Sequence, residues 1–352
     1  MTGSSGRRSG GRDRARGGLA AVYGALRVLA AAAAVAVALA FLLYFGPGPA
    51  LPHGHPATIV LRNGAGLQEI ASDLKRAGVI GSDAVFIAAA EVTGAAHRLK
   101  AGEYAFPSRA SLAQITDQIV SGRVVRHFIT IPEGATSQAV METLMRADFL
   151  TGVAPSPPEG AVLPETYEAR RGDDRAAVLQ RMMNARDRLL ASLWAHRRVD
   201  LPYRTPQDAV TLASIVEKET AKPDERPRIA AVFLNRLRAN MRLESDPTVI
   251  YGLTGGRPLG HGLKVSELAS LTPYNTYQVA GLPPTPICNP GRASLAAALD
   301  PPQTADLYFV ADGTGGHAFS STLQDHLANV ARWRAIETAR NCVHPPGTPA
   351  TC

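Results

Sequence analysis

The sequence predicts an α+β protein with a single transmembrane helix at its N-terminus, a strand–helix region, and a mainly helical domain with long loops and a short sheet. Three observations lead to this prediction: an uninterrupted apolar segment at residues 28–46, two similar strand–turn–helix segments within residues 57–153, and long helical patterns within residues 154–338. With 352 residues, of which 45% are apolar, the chain is long enough for two or three domains with a sizeable core.

The N-terminal residues are typical of a basic tail followed by a membrane anchor. The first eighteen residues hold five arginines and one aspartate, so residues 1–27 are predicted to form a disordered cytoplasmic tail. The eighteen residues from Val28 to Phe45 carry no charge, and a helix of that length rises about 27 Å, close to the hydrocarbon thickness of a bilayer. Because the arginines come first, we expect the N-terminus in the cytoplasm and the rest of the chain beyond the cytoplasmic membrane.

Two other interpretations of this region stay open. A cleaved signal peptide also has basic and apolar parts, although its apolar core is usually shorter. A net charge of +7 with a basic tail is also compatible with nucleic-acid binding. The long apolar segment favours an uncleaved anchor and no nucleic-acid partner. Residues 47–56, rich in proline and glycine, are predicted to be a stiff spacer.

An internal repeat occupies much of residues 57–153. "IVLRNGAGLQEIASDLKRAGVI" starts at Ile59, and "ITIPEGATSQAVMETLMRADFL" starts at Ile129, with Gly64 matching Gly134 at a constant offset. Each copy predicts a short strand, a glycine turn and an amphipathic helix. Such units can bind a ligand or can simply separate the next domain from the membrane, and the pattern leaves both roles open.

The remaining chain predicts a helical domain with a cleft. A proline-rich break at residues 154–167 precedes three long helical patterns, and the chain is rich in loops from about residue 241 to 302. A strand near Asp306 and a final helix close the domain. Helices around long polar loops suit a cleft that holds an extended substrate.

The cysteines and histidines predict no metal site and no cofactor. Cys342 and Cys352 lie in a Cys/Pro-rich tail, residues 339–352, and are candidates for a disulfide in an oxidising compartment, which leaves Cys288 unpaired. The sequence has no CxxC motif, no histidine pair at zinc spacing and no glycine-rich phosphate loop.

The stretch "TLASIVEKET" contains the main catalytic candidate. On a helical wheel, Glu219 follows Ile215 by four residues and Val216 by three, so its side chain points toward the buried stripe, whereas Glu217 is turned away. Burial raises the pKa of a carboxyl group, and a protonated carboxyl at a cleft is a general acid. The same pattern also fits a structural carboxylate that pairs with Arg236. No nucleophile motif such as GxSxG is present.

Several motifs in a fixed order resemble one protein family. These are "ASIVEKET", "VFLNRL", "MRLESDPTVIYG", "LTPYNTYQVAGLPPTPICNPG" and "LYFVADGTGGHAFSSTLQDH". Together they resemble the YceG-like endolytic murein transglycosylase family. The resemblance covers roughly residues 57–335.

The resemblance implies a bacterial inner-membrane enzyme whose catalytic part acts in the periplasm on peptidoglycan glycan strands. It implies a LysM-like subdomain at residues 57–153, a lytic-transglycosylase-like domain at residues 154–338, and partners among cell-wall synthesis proteins such as penicillin-binding proteins. The family's catalytic glutamate aligns with Glu219, with Glu217 as the nearby alternative. A non-catalytic, membrane-anchored glycan-binding scaffold is the alternative function.

Polar and aromatic residues in two loops are candidates for substrate binding, because aromatic faces pack on sugar rings and amides match N-acetyl groups. The candidates are Ser245, Asp246, Tyr274, Asn275 and Tyr277, together with Glu217. Turn formation is the alternative role for the two loops.

Overall fold

The computed structural model of the chain describes residues 10–341, with side chains described for residues 23–340. The chain divides into two compact units between Arg126 and His127. The predicted tail residues 1–9 lie outside the described part of the chain, as do Cys342 and Cys352 with their predicted disulfide.

The first helix is longer than the predicted anchor. α1 runs from Gly10 to Phe45, so residues 10–27, predicted to be disordered, are helical. Arginine and alanine are strong helix formers, and a helix that has nucleated in the apolar segment extends readily through them. Within α1, Tyr23–Phe45 is long and apolar enough to cross a membrane, judged by length and composition.

The predicted spacer after α1 is fastened to unit 1 by backbone hydrogen bonds. The Gly48 amide donates to the Arg109 carbonyl at 3.2 Å, and the Arg109 amide donates to the Pro49 carbonyl at 3.0 Å. A Cβ atom at Gly48 would lie 2.2 Å from the Ala110 carbonyl oxygen, so only glycine fits this approach. The spacer is therefore a packed segment of unit 1.

Unit 1 contains one antiparallel strand pair covered by three helices. Its elements are β1 (Ala57–Leu61), α2 (Leu67–Arg76), α3 (Asp83–Val92), β2 (Gly102–Phe106) and α4 (Leu112–Ser121). β1 pairs with β2, with Ile59 opposite Tyr104. Alternate strand residues face the helices, and Tyr104, Phe86 and Ile115 are fully buried in this core.

Unit 2 begins with the second copy of the repeat. Its elements are β3 (His127–Thr130), α5 (Ser137–Arg146), β4 (Thr166–Ala169), α6 (Arg175–Ala195), α7 (Pro206–Glu219), α8 (Arg226–Arg238), α9 (Asp246–Thr254), α10 (Val265–Leu268), α11 (Arg292–Leu299), β5 (Tyr308–Ala311), β6 (His317–Ser320) and α12 (Leu323–Asn341).

The predicted subdomain at residues 57–153 is divided between the two units. β3 pairs antiparallel with β4, which lies beyond the proline-rich break. α5 packs in a core with α6, where Val140, Leu144 and Met182 are fully buried. The second copy therefore belongs to unit 2, because its strand partner and its apolar contacts come from later in the chain.

The larger core of unit 2 surrounds α7. Residues 209–216 of this helix are all buried, and they pack against α6, α8 and α11. α7 starts with a capping box in which Thr205 and Asp208 satisfy each other's backbone amides, with Pro206 at the first helical position. β5 and β6 form an antiparallel hairpin beside α12.

Candidate active site

Glu219 is the last residue of α7, at the end of its buried stripe. Leu212, Ile215 and Val216 are fully buried, and Glu219 is half-buried with its carboxyl group turned inward. The helix ends here because Thr220 adopts an extended backbone conformation. The inward direction agrees with the helical wheel.

The surroundings of Glu219 raise the pKa of its carboxyl group into the neutral range, so that about half of the groups carry a proton at pH 7. Desolvation by burial is the largest cause and raises its pKa from 4.5 to about 7. A hydrogen bond from the Ser245 hydroxyl lowers the pKa, the negative charge of Asp246 raises it, and the charge of Arg236 lowers it to a smaller extent.

Arg236 does not form the ion pair with Glu219 that would make this glutamate structural. Its guanidinium donates to the carbonyls of Leu307 at 2.7 Å and Leu243 at 2.9 Å, and to the Glu244 carboxylate at 3.2 Å. The described partner of Glu219 is the hydroxyl group of Ser245, which is 2% exposed.

Glu217 forms a buried ion pair. Its side chain is 4% exposed. Its Oε1 accepts from Arg226 at 2.8 Å, and its Oε2 accepts from the Gly291 amide at 2.8 Å. Arg226 also donates to Glu133 at 3.1 Å. Both carboxylate oxygens are thus used by the protein, and the role of Glu217 in substrate binding stays a prediction.

Two loops bring Ser245, Asp246 and Tyr277 together beside Glu219. Ser245 immediately precedes α9, and its amide donates to the Thr276 hydroxyl at 3.0 Å. The Tyr277 hydroxyl donates to Asp246 at 2.7 Å. These contacts join the start of α9 to the "TPYNTY" loop, so three of the predicted site residues share one location.

Asn275 holds its own loop together and does not face a substrate. It is fully buried. Its amide nitrogen donates to the Leu268 and Ser270 carbonyls at 3.0 and 2.7 Å, and its amide oxygen accepts from the Tyr277 backbone at 3.0 Å. The turn itself uses the amide, and the role of Asn275 at the cleft stays a prediction.

Tyr274 lies at the edge of the unit 2 core. Its ring packs on Tyr251 with centroids 4.9 Å apart, and its hydroxyl is 2.8 Å from that of Thr285. Packing and this hydroxyl contact account for an aromatic residue at position 274. No contact among the described residues bears on its role in sugar binding, which stays a prediction.

A second carboxyl group, Glu159, is also buried but is fully engaged. Burial raises its pKa. It accepts hydrogen bonds from the Ser137 amide and hydroxyl at 2.8 and 3.1 Å, and from Asn289 and Tyr251 at 3.3 and 3.2 Å. Four donors hold Glu159 as part of the scaffold, in contrast to Glu219.

An open cavity of about 370 Å³ lies against Glu219. Its lining residues are Glu133, Gly134, Glu217, Lys218, Glu219, Thr220, Ala221 and Arg226. A cavity of this size suits a small ligand or one segment of a longer one. Glu133 and Gly134 come from the turn of the second repeat copy, and no local sequence signal links that turn to the end of α7.

The loop after Glu219 is tied to the β5–β6 hairpin. His317 Nδ1 lies 2.7 Å from the Glu225 carboxylate, and its backbone amide donates to the same group at 3.0 Å. Thr220 donates to Glu225 at 3.4 Å. Over the part of the chain with described side chains, no group of three or more His, Cys, Asp or Glu residues could hold a metal ion.

The fold and the site define a helical domain with a protonated carboxyl group beside an open cavity, an arrangement suited to general acid chemistry. The chain belongs to the YceG-like family, which it matches over residues 59–332.

Relatives with a protein name were found in two bacterial species. The chain is 30% identical over 306 residues to a Bacillus subtilis protein named endolytic murein transglycosylase, covering 76% of this chain and 82% of that one. It is 28% identical over 323 residues to a Streptococcus pneumoniae protein of the same name, covering 78% of this chain but only 58% of that one. The chain thus spans less than two thirds of the pneumococcal relative.

A solved structure of a YceG-like protein from Listeria monocytogenes is also similar. The two sequences are 29% identical, the match covers 78% of this chain and 99% of that chain, and the TM-score is 0.47.

Proposed function

We propose that this protein is a lytic transglycosylase that cleaves peptidoglycan within its glycan strands. The bond cleaved is the β-1,4 linkage between N-acetylmuramic acid and N-acetylglucosamine, and the product carries a 1,6-anhydro-muramyl end. The observation that carries the proposal is the desolvated, protonated carboxyl of Glu219 beside an open cavity. The names of the two relatives supply the substrate class.

One carboxyl group is sufficient for this reaction. Glu219 donates its proton to the glycosidic oxygen while the bond to the anomeric carbon breaks. The resulting carboxylate then takes the proton from the 6-hydroxyl of the same muramic acid, and that oxygen bonds to the anomeric carbon. Glu219 ends protonated, as it began, and no water is consumed. A pKa of about 7 suits a group that must both donate and accept a proton.

Asp246 is the group we assign to the positive charge that develops at the anomeric carbon. Its charge already acts on Glu219, and the Tyr277 hydroxyl holds one of its oxygens at 2.7 Å. A carboxylate fixed in this way stabilises a neighbouring cation without reorganising during the reaction.

The apolar part of α1 supports a proposal on where this chemistry takes place. We propose that Tyr23–Phe45 anchors the protein in the bacterial inner membrane, with the N-terminus in the cytoplasm and both units in the periplasm. Unit 1 is the proposed LysM-like glycan-binding part. Cleavage of nascent strands would end or trim them, which makes penicillin-binding proteins and other cell-wall synthesis proteins the proposed partners.

The substitution Glu219→Gln tests the proposal, with Glu142→Gln on the exposed face of α5 as the matched control. Purified glycan strands are incubated with each full-length protein, and the products are identified by mass spectrometry. We expect Glu219→Gln to reduce the release of anhydro ends by at least about 100-fold and the control to leave it unchanged.

Three results would contradict the proposal in different ways. Undiminished release by Glu219→Gln would remove this residue from the mechanism. Reducing ends, which are one water heavier, would make the protein a hydrolase. Binding of strands by the unsubstituted protein without any cleavage would identify a glycan-binding scaffold.

A further inference from the structure

The helix α3 is apolar on faces that the core of unit 1 does not cover. Its sequence is "DAVFIAAAEV", and only Phe86 and Ala90 are buried. Ala84, Ala88 and Val92 follow one another at intervals of four residues and are exposed, with Val92 88% exposed. A helix on the surface of a soluble domain normally has polar residues on such a face.

This apolar face of α3 and the C-terminal part of α1 form the two walls of one groove. The groove has a volume of about 610 Å³ and is lined by apolar side chains except for Tyr44 and Thr93. Val37 and Phe41 on the α1 wall are 70% and 61% exposed. The acidic residues of α3, Asp83 and Glu91, do not line the groove.

The chain that follows α1 keeps these walls together. The Gly46 amide continues the helical hydrogen bonding by donating to the Leu42 carbonyl at 2.8 Å. Gly48 and Pro49 then pair with Arg109, as described above. Because no free linker separates α1 from unit 1, insertion of α1 into a membrane also fixes the position of α3.

The length of the apolar segment places the groove at the level of lipid. Tyr23–Phe45 rises about 33 Å as a helix, only slightly more than the roughly 30 Å of bilayer hydrocarbon. The stretch from Val37 to Phe45 that lines the groove rises about 12 Å. Most of the residues from Val37 to Phe45 must therefore lie in the hydrocarbon layer if α1 is to span the bilayer.

We propose that the groove between α1 and α3 binds acyl chains of membrane phospholipids, so that unit 1 is partly embedded in the membrane surface through α3. This inference rests on the proposed anchoring of α1. Lipid is the occupant that fits, because one wall of the groove is the membrane-spanning segment itself and the lining presents no charged group.

Tryptophan quenching in vesicles tests the inference. The full-length protein is reconstituted in phosphatidylglycerol–phosphatidylethanolamine vesicles whose acyl chains carry bromine near the headgroup. Three variants are compared with the unsubstituted protein, which contributes the background of two native tryptophans. They are Val92→Trp in the groove, Leu42→Trp on α1 outside the groove as the membrane reference, and the fully exposed Val199→Trp in unit 2 as the water reference.

We expect bromine to quench Val92→Trp to an extent similar to Leu42→Trp, and to leave Val199→Trp unquenched. If Leu42→Trp is quenched and Val92→Trp is not, the anchor stands and the groove proposal is overturned. If neither is quenched, the anchoring itself fails, and the groove proposal fails with it. A blue-shifted emission of Val92→Trp that bromine does not quench would indicate that protein, and not lipid, occupies the groove. That result also overturns the proposal.

A charge placed in the groove provides a second test. Ala88→Asp, added to Val92→Trp, is expected to abolish quenching at position 92 because a carboxylate disfavours acyl chains. Ala88 is exposed, so the substitution does not disturb the core. Added to Leu42→Trp, it is expected to leave quenching unchanged, because Leu42 lies outside the groove. Retained quenching at position 92 would show that the groove does not contact lipid.

Discussion

The two sides of the last turn of α7 carry the same functional group in opposite environments. On one side, Glu217 forms an ion pair with the Arg226 guanidinium and accepts a hydrogen bond from the Gly291 amide. On the other side, Glu219 has no ion-pair partner among the described residues, and it accepts a hydrogen bond from the Ser245 hydroxyl. A buried charge is tolerated when it is paired, whereas an unpaired carboxyl group retains its proton. Neighbouring residues therefore determine which of the two glutamates can act as an acid.

The largest expected difference between the two sides concerns stability. Glu217→Gln should lower the free energy of unfolding at pH 7 by about 3 kcal/mol, because Arg226 loses its buried partner and retains only Glu133. Chemical denaturation of the detergent-solubilised chain measures this through Trp194 and Trp333, which both lie in unit 2. The exposed Glu142→Gln is the control, expected within about 0.5 kcal/mol of the unsubstituted protein. An equally small effect of Glu217→Gln would show that the ion pair is dispensable.

Glu219→Gln should change stability in the opposite direction, and only at higher pH. The pKa of Glu219 is raised from 4.5 to about 7 by folding, so the folded state binds a proton that the unfolded state has released. The stability of the unsubstituted protein therefore falls as the pH rises from 4.5 to about 7. Glutamine cannot ionise, so the variant should be more stable by about 1–3 kcal/mol at pH 8 and similar at pH 4. Denaturation at both pH values measures the difference, and a pH-independent difference would contradict the raised pKa.

The pH dependence of activity should follow the protonation of Glu219. Cleavage should decline about tenfold per pH unit above pH 7, because the acid form is lost. This decline is the high-pH limb of the rate profile. Ser245→Ala removes a hydrogen bond that lowers the pKa of Glu219, so the limb should move to higher pH. Initial rates of anhydro-end release across pH 5–9 measure the limb. A limb that stays in place in Ser245→Ala would show that another group controls it.

The smallest expected effect is that of Asp246→Asn on the high-pH limb, which should shift in the direction opposite to the shift in Ser245→Ala. Asp246→Asn removes a negative charge that raises the pKa of Glu219, so the high-pH limb should move to lower pH. The absolute rate should also fall, since we assign Asp246 to cation stabilisation, but the position of the limb reports only on the pKa. Shifts of the same sign in Ser245→Ala and Asp246→Asn would contradict the electrostatic account of the site.

Local sequence patterns predicted the strand–turn–helix form of the two repeat copies, but they did not predict which strands pair with them. In both copies the helix begins ten residues after the first residue of the strand and is ten residues long, and the matched turn glycines Gly64 and Gly134 both have positive φ angles. However, β1 pairs with β2 in unit 1, whereas β3 pairs with β4 across the proline-rich break. The choice of strand partner at such separations depends on packing between residues that are distant in the sequence. The periodicity of a short segment carries no information about that packing.

The candidate site shows the same division between local and long-range information. The helical period was sufficient to direct Glu219 inward, because orientation on a helix depends on nearby residues alone. The ion pair of Glu217 with Arg226 depends on where α8 begins, so the wheel could not reveal it. The turn-closing hydrogen bonds of Asn275 were likewise not predictable, because an amide that binds a sugar and an amide that closes a turn look the same in a sequence.

The pairing of β3 with β4 has a practical consequence for dividing this protein. Composition suggests a cut at residue 154, but a fragment starting there would leave β4 without its neighbouring strand. It would also remove Glu133, which Arg226 contacts at 3.1 Å and which forms part of the cavity wall. A fragment that preserves the surroundings of Glu219 therefore has to start at or before His127 and include the second repeat copy.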